Sequence, residues 1–344
     1  MRNPKIYFYL PHKFWPEALP KTPYENWSGF GLGMYIWTVQ TYLWLQEHDF
    51  PCHLVNEIPE EGIILADHNV LRTTRIIPSS KQLIICFKED GLPYPYAQLH
   101  VVQNLQDVQI AKGYHYISHW PHPTLIPRDS SRGERFENVA YFGHYNNLVS
   151  EFRHSSWLDA LAKLELKWCP IVNKNHWSKY QASNASKFEK WNDYSKVDVV
   201  LAIRSFGKSK RFVHKPATKL YNAWLAKVPA VLGHESAYYS EGKPGSNYIE
   251  ATSLEEVLKA LELLKDNPKM REKIVQRGWI LGQSYTVEKT VDKWRLFLEN
   301  IAISAFDKWC SKNRRAQLLD LRSKWISFKI RRGISRFISL DEFA

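Results

Sequence analysis

The sequence predicts an α/β protein with two Rossmann-like domains, each built on a parallel sheet. Uninterrupted apolar runs such as Gly62–Ala66 and Leu83–Phe87 are typical of strands that are covered on both faces. These runs alternate with helical patterns along the chain, as in open parallel sheets. The length of 344 residues is about twice that of a typical domain of ~150 residues, which favours two domains.

The first domain is predicted over residues 1–125. Its predicted strands are Lys5–Leu10, Gly62–Ala66, Leu83–Phe87 and His100–Gln103, and its main helix is Leu32–His48. The segment Trp120–Asp129 carries three prolines. Prolines punctuate regular structure, so the chain is predicted to cross to the second domain here.

The second domain is predicted over residues 126–300. Its predicted strands are Val139–Gly143, Leu166–Val172, Val197–Ile203, Ala230–Gly233 and Tyr248–Ala251. Its predicted helices are Ser155–Leu164, Thr218–Lys227, Leu254–Lys265, Lys269–Arg277 and Val287–Glu299. Two such domains are expected to face each other across a central cleft.

Charge is unevenly distributed along the chain. Residues 301–344, a predicted basic helical tail, hold ten basic and four acidic residues. Their net charge of +6 is half of the net charge of +12 of the whole chain. The tail is expected to pack back on the first domain. The alternative is that it binds an anionic membrane surface, since clustered Lys and Arg are attracted to such surfaces.

Composition excludes several classes of protein. With 44% apolar and 14% aromatic residues, the chain is not disordered. The four cysteines are scattered without a CxxC pair, which favours a reducing compartment, and we expect a cytoplasmic protein. The positive charge favours phosphates, nucleic acid or an anionic membrane as partners.

A glycine-rich segment, Gly29–Gly33, opens the first long helix. Glycines let a backbone approach a ligand closely, and a helix N-terminus attracts phosphate. Gly31 and Gly33 are therefore candidate donor-binding residues. A glycine turn that only permits tight helix packing explains the pattern equally well, because the strict dinucleotide fingerprint is absent.

A second candidate site follows the strand Val197–Ile203. Between residues 204 and 219 there are six Lys or Arg and no acid. Ligands bind open α/β sheets at the carboxyl ends of strands, so this segment is predicted to bind phosphate rather than to be a solvated loop. The candidate donor-binding residues here are Arg204, Lys215, Thr218, Lys219 and Asn222.

The segment Lys215–Gly233, KPATKLYNAWLAKVPAVLG, resembles the nucleotide-sugar segment of GT-B glycosyltransferases related to family 4. Tyr248–Ser284 also resembles that family, and Tyr141–Gly143 resembles its first strand of the C-terminal domain. The glycine segment resembles the loop that faces the donor phosphates. The resemblance implies a GT-B fold over about residues 5–300 and a nucleotide-sugar as co-substrate, with no cofactor.

The sequence departs from this family at two places. The family's E-x7-E pair falls on His214 and Asn222, so both glutamates are missing. Gly143–Asn147 stands where the family has an Arg and Lys pair. Because these charges are lost, the basic segment 204–219 is expected to hold the diphosphate.

The resemblance places the catalytic group of the first domain after the strand Gly62–Ala66. Asp67 and His68 follow that strand, and His68 is the first choice for a base or a sugar contact. A structural hydrogen-bonding role for His68 is an equally open alternative. Asp90 is the reserve base. No acidic cluster of the DxD type is evident, so a metal is not expected.

These observations favour a metal-independent hexosyltransferase of polysaccharide biosynthesis. It would transfer a sugar from a nucleotide-sugar to a hydroxyl of a glycan or lipid-linked acceptor, as a cytoplasmic or peripheral membrane protein. Two alternatives stay open, a GT-B nucleotide-sugar epimerase and a non-catalytic basic binding protein. Nucleic acid is not an expected partner, because no nucleic-acid-binding motif is visible.

Overall fold

Two parallel sheets organise the chain. The computed structural model describes residues 4–173, 190–209 and 212–338, and eleven strands lie within them. Unit 1 comprises residues 1–25, 29–118 and 290–344, and unit 2 comprises residues 26–28 and 119–289. The division differs from the predicted boundaries, because the segment 290–300 and the tail belong to unit 1 rather than to unit 2 or to a separate region.

The sheet of unit 1 has six parallel strands in the order β2-β1-β3-β4-β5-β6. The strands are β1 (Ile6–Tyr9), β2 (His53–Val55), β3 (Gly62–Asp67), β4 (Gln82–Phe87), β5 (Leu99–Val102) and β6 (Tyr114–Tyr116). Every residue of β3 and β4 is buried, as the apolar runs predicted. The sequence missed β2 and β6 because each has three residues, including a histidine, and shows no apolar run.

Four helices belong to the first part of unit 1. They are α1 (Gly33–Tyr35), α2 (Thr41–Glu47), α3 (His68–Thr74) and α4 (Leu105–Val108). A π-helical segment, Ile36–Gln40, joins α1 to α2, so the helix predicted over this region is present but widened in the middle.

The sheet of unit 2 has five parallel strands in the order β11-β10-β9-β7-β8. The strands are β7 (Asn138–His144), β8 (Lys167–Asn173), β9 (Val199–Ala202), β10 (Ala230–Leu232) and β11 (Ile249–Glu250). The helices are α5 (Ser155–Lys163), α6 (Thr218–Leu225), α7 (Ser236–Glu241), α8 (Leu254–Asp266) and α9 (Pro268–Gly282). All five strands were predicted, and α7 was missed.

In both sheets the order of strand addition reverses beside the first strand. In each unit the second strand pairs with one side of the first strand, and the third strand pairs with the other side. The loops that follow the first and third strands therefore diverge at the carboxyl edge. Doubly wound sheets bind their ligands at this switch point, so each unit offers a candidate site there.

The C-terminal helices are α10 (Val287–Leu296), α11 (Ile303–Ser311) and α12 (Arg314–Ile338), with a π-helical segment Phe297–Ala302 between the first two. Trp309 donates its indole N–H to the carbonyl of Ser79 at 3.0 Å, and Gln317 donates to the carbonyl of Ser80 at 3.2 Å. The tail thus packs within unit 1, as expected. Among the described residues, no helix combines the length and hydropathy of a membrane span.

A buried carboxylate ties the amino end of β9 to the start of unit 2. Asp198 is 1% exposed and accepts hydrogen bonds from Arg128 at 3.1 Å and from Arg132 at 2.9 and 2.6 Å. It also accepts from the backbone N–H groups of Glu137 and Asn138. Burial raises the pKa of Asp198, but Arg132 and the two N–H groups hold that pKa below its ordinary value.

Asp198→Asn keeps the shape of this side chain and removes its charge. We expect the free energy of unfolding to fall by about 3–5 kcal/mol, because two guanidinium groups lose their buried partner. Urea denaturation followed by tryptophan fluorescence measures this change. The pKa of Asp198 is lower in the folded protein than in the unfolded chain. The native protein should therefore be more stable than Asp198→Asn above about pH 4, and this difference in stability should disappear as the pH falls through the folded pKa.

Glu165→Gln is the matched control for Asp198→Asn. Glu165 also pairs with a cation, Lys265, but its side chain is 84% exposed. Exposed ion pairs contribute little to stability, because water and salt screen them. Equal losses of stability in the two variants would contradict the structural role of Asp198.

Candidate functional site

The candidate site of unit 1 begins where β3 ends. Asp67 is the last residue of β3 and the N-cap of α3, and its Oδ1 accepts from the backbone N–H groups of Asn69 at 2.7 Å and Val70 at 3.2 Å. Asx residues favour this position because they satisfy the free N–H groups of the first turn. The adjacent His68 therefore starts α3 in a fixed place at the carboxyl edge. Its Nδ1 lies 3.4 Å from Oδ2 of Asp67.

A tight turn after β4 approaches the same histidine. The backbone N–H of Gly91 donates to the carbonyl of Lys88 at 3.0 Å, and the Lys88 ammonium pairs with the buried Asp107 at 3.1 Å. A Cβ atom at Gly91 would lie 1.9 Å from Nε2 of His68. Only glycine lets the turn come this close to the imidazole ring.

Glu89, in that turn, completes a cluster. One ligand atom each from Asp67, His68 and Glu89 lie within 4.8 Å of one another. Glu89 was not among the predicted site residues, because the pairing of β3 with β4 brings together residues that are far apart in the chain. The available signal was the position of Glu89 two residues after the buried strand β4, but the sequence predicted Asp90, one residue further on.

Asp90 lies outside this cluster. It is exposed, and its Oδ1 accepts a hydrogen bond from Gln103 at 2.7 Å. Burial raises the pKa of Asp67, but the neighbouring imidazole of His68 and the N–H of Asn69 hold that pKa below its ordinary value. Asp67 is therefore the ionised carboxylate next to His68, whereas Asp90 is bonded to a different side chain.

The predicted phosphate contact at Gly33 meets a carboxylate in the structure. A Cβ atom at Gly33 would lie 2.1 Å from Oε2 of Glu89. The glycine thus permits the approach of Glu89, and like charge disfavours a phosphate at this point while Glu89 is ionised. Gly31 ends a short 3-10 turn, Ser28–Gly31, just before α1.

In unit 2, Gly143 and Lys219 meet at the switch point. Gly143 lies near the end of β7 with φ of +150°, and a Cβ there would lie 2.9 Å from the hydroxyl oxygen of Tyr141 and 3.6 Å from Cε of Lys219. The Lys219 ammonium lies 5.7 Å from the centre of the Tyr141 ring. The side chain of Lys219 therefore extends over Gly143, and the missing side chain of the glycine leaves room for a phosphate beside the lysine.

Thr218 and Lys219 form the first turn of α6. The N-cap of this helix is Ala217, and no side chain of the described residues caps it. The first N–H groups of a helix attract anions. Lys215 precedes this turn and is half-buried. The geometry thus gathers three of the predicted donor-binding residues, Lys215, Thr218 and Lys219, around one helix start.

Arg204 has a partner that the sequence did not reveal. Its Nη1 donates to Oε1 and Oε2 of Glu235 at 2.8 and 2.9 Å, and the side chain of Glu235 is 1% exposed. This ion pair joins the loop after β9 to the loop after β10. The charge of Arg204, one of the predicted donor-binding residues, is therefore already balanced by Glu235.

Asn222 also forms a hydrogen bond inside unit 2. Its Oδ1 accepts from the backbone N–H of His122 at 3.0 Å, and the side chain is 8% exposed. A contact between this amide oxygen and the ribose of a donor would require Asn222 to give up its hydrogen bond to His122. Lys210 and Arg211, which the basic segment includes, lie outside the described residues.

Comparison with solved structures identifies the architecture. HepE from Anabaena, in complex with UDP and glucose, matches 87% of this chain and 100% of its own with a TM-score of 0.54 and 11% identity. The chain has the GT-B fold. HepE in complex with UDP-glucose matches the same shares at a TM-score of 0.53 and 12% identity. Sucrose-phosphate synthase from Thermosynechococcus elongatus matches 83% of this chain and 81% of its own, at a TM-score of 0.50 and 9% identity.

Sequence comparison adds no closer relative. No protein-family model matches the sequence, and no curated protein matches it significantly. These structural matches show the fold. Because the identities are near 10%, the side chains of this chain must be interpreted from their own geometry. The GT-B prediction from the sequence is confirmed, whereas the assignment to family 4 stays a prediction.

The contact between Gly91 and His68 can be tested by Gly91→Ala. An alanine Cβ would overlap the imidazole ring, so we expect the NMR signals of the His68 ring to shift and stability to fall by about 1–3 kcal/mol. The far-UV circular dichroism spectrum should be unchanged, since the φ of Gly91 is not in the left-handed region.

Gly333→Ala is the control for Gly91→Ala. A Cβ at Gly333 in α12 meets no atom of the described residues within 4 Å, and alanine favours a helix by about 1 kcal/mol over glycine. The control should therefore leave the His68 signals unchanged and stability equal or higher. Unshifted signals in Gly91→Ala would refute the close packing.

Proposed function

We propose that this protein is a glycosyltransferase that transfers a sugar from a UDP-sugar to a hydroxyl group. The observation that carries the proposal is the basic carboxyl edge of unit 2, where Lys219, Gly143 and the start of α6 meet at a switch point of a GT-B fold. UDP is proposed as the nucleotide because the HepE structures contain UDP or UDP-glucose.

Unit 2 is proposed to hold the diphosphate of the donor. The ammonium of Lys219 and the positive end of the α6 dipole supply positive potential at one place. Negative charge builds up on the diphosphate as the bond to the sugar breaks. Donors that are already aimed at this charge stabilise the transition state without reorganisation.

Unit 1 is proposed to supply the base. Nδ1 of His68 faces Asp67, so Nε2, which packs against Gly91 in this structure, is the atom proposed to accept the proton of the acceptor hydroxyl. The buried carboxylate of Asp67 would orient the ring and stabilise the imidazolium that forms. The start of α3 fixes both residues, because Asp67 caps the helix that His68 begins.

The transfer is further proposed to be metal-independent and to move a hexose. The lysine and helix N–H groups perform the charge stabilisation for which other transferases use a divalent cation. The acceptor is proposed to be a glycan or a lipid-linked glycan of polysaccharide biosynthesis. Transfer is expected to continue at full rate in the presence of a chelator.

Lys219→Met tests the donor site. We expect UDP-glucose or a related UDP-sugar to stabilise the native protein against heat and to be converted with release of UDP. The variant should bind UDP at least about tenfold more weakly, because a hydrogen bond to a charged group contributes about 1.5–3 kcal/mol. Isothermal titration calorimetry measures the affinity, and NMR of the sugar products distinguishes transfer from epimerisation.

Lys259→Met is the matched control for Lys219→Met. Lys259 lies on α8 with its side chain 70% exposed and pairs with Glu255. The control should bind UDP as tightly as the native protein. If no UDP-sugar stabilises the protein, or if both variants bind UDP equally well, the proposed donor site is wrong.

Attachment to a membrane surface is proposed for the outer face of α12. The inner face of this helix is bonded to unit 1, since Lys324 donates to the carbonyls of Ala97 and Gln98. The outer face carries apolar residues between basic ones, and Leu319 and Ile330 are 66% and 56% exposed. Apolar and basic residues on one helix face are typical of peripheral binding to anionic lipid. A cytoplasmic protein could then reach lipid-linked acceptors.

The variant Leu319→Ser combined with Ile330→Ser tests this attachment in the full chain. We expect the native protein to float with phosphatidylserine-containing vesicles and the variant to lose most of this binding, since less apolar surface enters the lipid. Leu263→Ser, at a 42% exposed position of α8 in unit 2, is the control and should float normally. Equal flotation of all three proteins would exclude α12 as the attachment site.

A further inference from the structure

The side chains of Asp67, His68 and Glu89 lie close together, although a catalytic histidine base needs only one carboxylate beside it. Their ligand atoms lie within 4.8 Å of one another, and Asp67 and His68 are 0% and 7% exposed. Oδ2 of Asp67 and Nδ1 of His68 are buried and face each other at 3.4 Å, and neither makes a hydrogen bond of good geometry to any described residue. Buried polar atoms of this kind are rare unless a ligand or water satisfies them.

The spacing of these two atoms fits a metal ion. Tetrahedral zinc with ligands at about 2.0–2.1 Å holds neighbouring ligand atoms about 3.3–3.4 Å apart. Nδ1 of His68 and Oδ2 of Asp67 are 3.4 Å apart, which is long for a good hydrogen bond.

The surroundings of Asp67 also suit a ligand. Its Oδ1 accepts two backbone N–H groups at the start of α3, so the carboxylate is fixed with Oδ2 directed at His68. Such outer bonds orient the ligands of metal sites.

We propose that Asp67, His68 and Glu89 form a binding site for a divalent transition-metal cation such as Zn²⁺. One imidazole nitrogen and two carboxylates match the preference of this class, whereas Mg²⁺ and Ca²⁺ favour all-oxygen sites. Two carboxylates would neutralise the charge of the ion in this largely buried place.

The cation would act as an inhibitor of transfer, a consequence that rests on the proposed function of His68. An imidazole that donates its Nδ1 lone pair to a metal carries its proton on Nε2. It then cannot accept a proton from the acceptor hydroxyl. Zn²⁺ should therefore lower the rate of UDP release, and a chelator should restore it.

Titration with Co²⁺ tests the site without any activity measurement. We expect the native full-length protein to bind one Co²⁺ with the visible absorption of a low-symmetry site, and Zn²⁺ should displace it and bleach this absorption. Glu89→Gln and His68→Asn should each bind Co²⁺ at least about tenfold more weakly, because each removes a ligand.

Asp90→Asn is the matched control, since this carboxylate lies next to Glu89 and bonds Gln103 instead of the cluster. It should bind Co²⁺ like the native protein. Absence of the absorption, or an equal loss of affinity in Asp90→Asn and Glu89→Gln, would overturn the cation site. Co²⁺ binding by a protein that converts no UDP-sugar would refute the proposed function and leave the cation site standing.

Discussion

The pairing of β3 with β4 is the constraint on which the unit 1 site depends. The two strands run in register over six positions, from Gly62 opposite Gln82 to Asp67 opposite Phe87. The residues that follow each strand must then emerge side by side at the carboxyl edge. This register places His68 against the turn 88–91, and a shift of one residue would turn every buried side chain of β3 to the opposite face.

Two glycines and a buried ion pair fix the positions of His68 and Glu89 at this edge of the sheet. Gly33 and Gly91 leave room for Glu89 and His68, and the Lys88–Asp107 ion pair anchors the turn beneath them. Such a buried pair is expensive to form, and it is retained most readily where it fixes a conformation. In unit 2 the Arg204–Glu235 pair joins two loops in the same manner beside the helix start that carries Lys219.

The fold was largely predictable because parallel strands covered on both faces leave uninterrupted apolar runs. The site was predictable only in part. Asp67, His68 and Lys219 follow strands or begin helices, and position alone indicated them. Glu89 and Glu235 were missed, because a carboxylate next to a distant histidine or arginine leaves no local pattern. Nothing in the sequence indicated that Asn222 would bond a backbone N–H one hundred residues away.

A crystal structure of the full chain with bound UDP would test the central claim most directly. The account predicts that the diphosphate lies in unit 2 at the start of α6, with phosphate oxygens within hydrogen-bond distance of the Lys219 ammonium and the backbone N–H of Thr218, close to Gly143. A diphosphate bound at any other edge of either sheet, or a Lys219 side chain that makes no contact with it, would contradict the account.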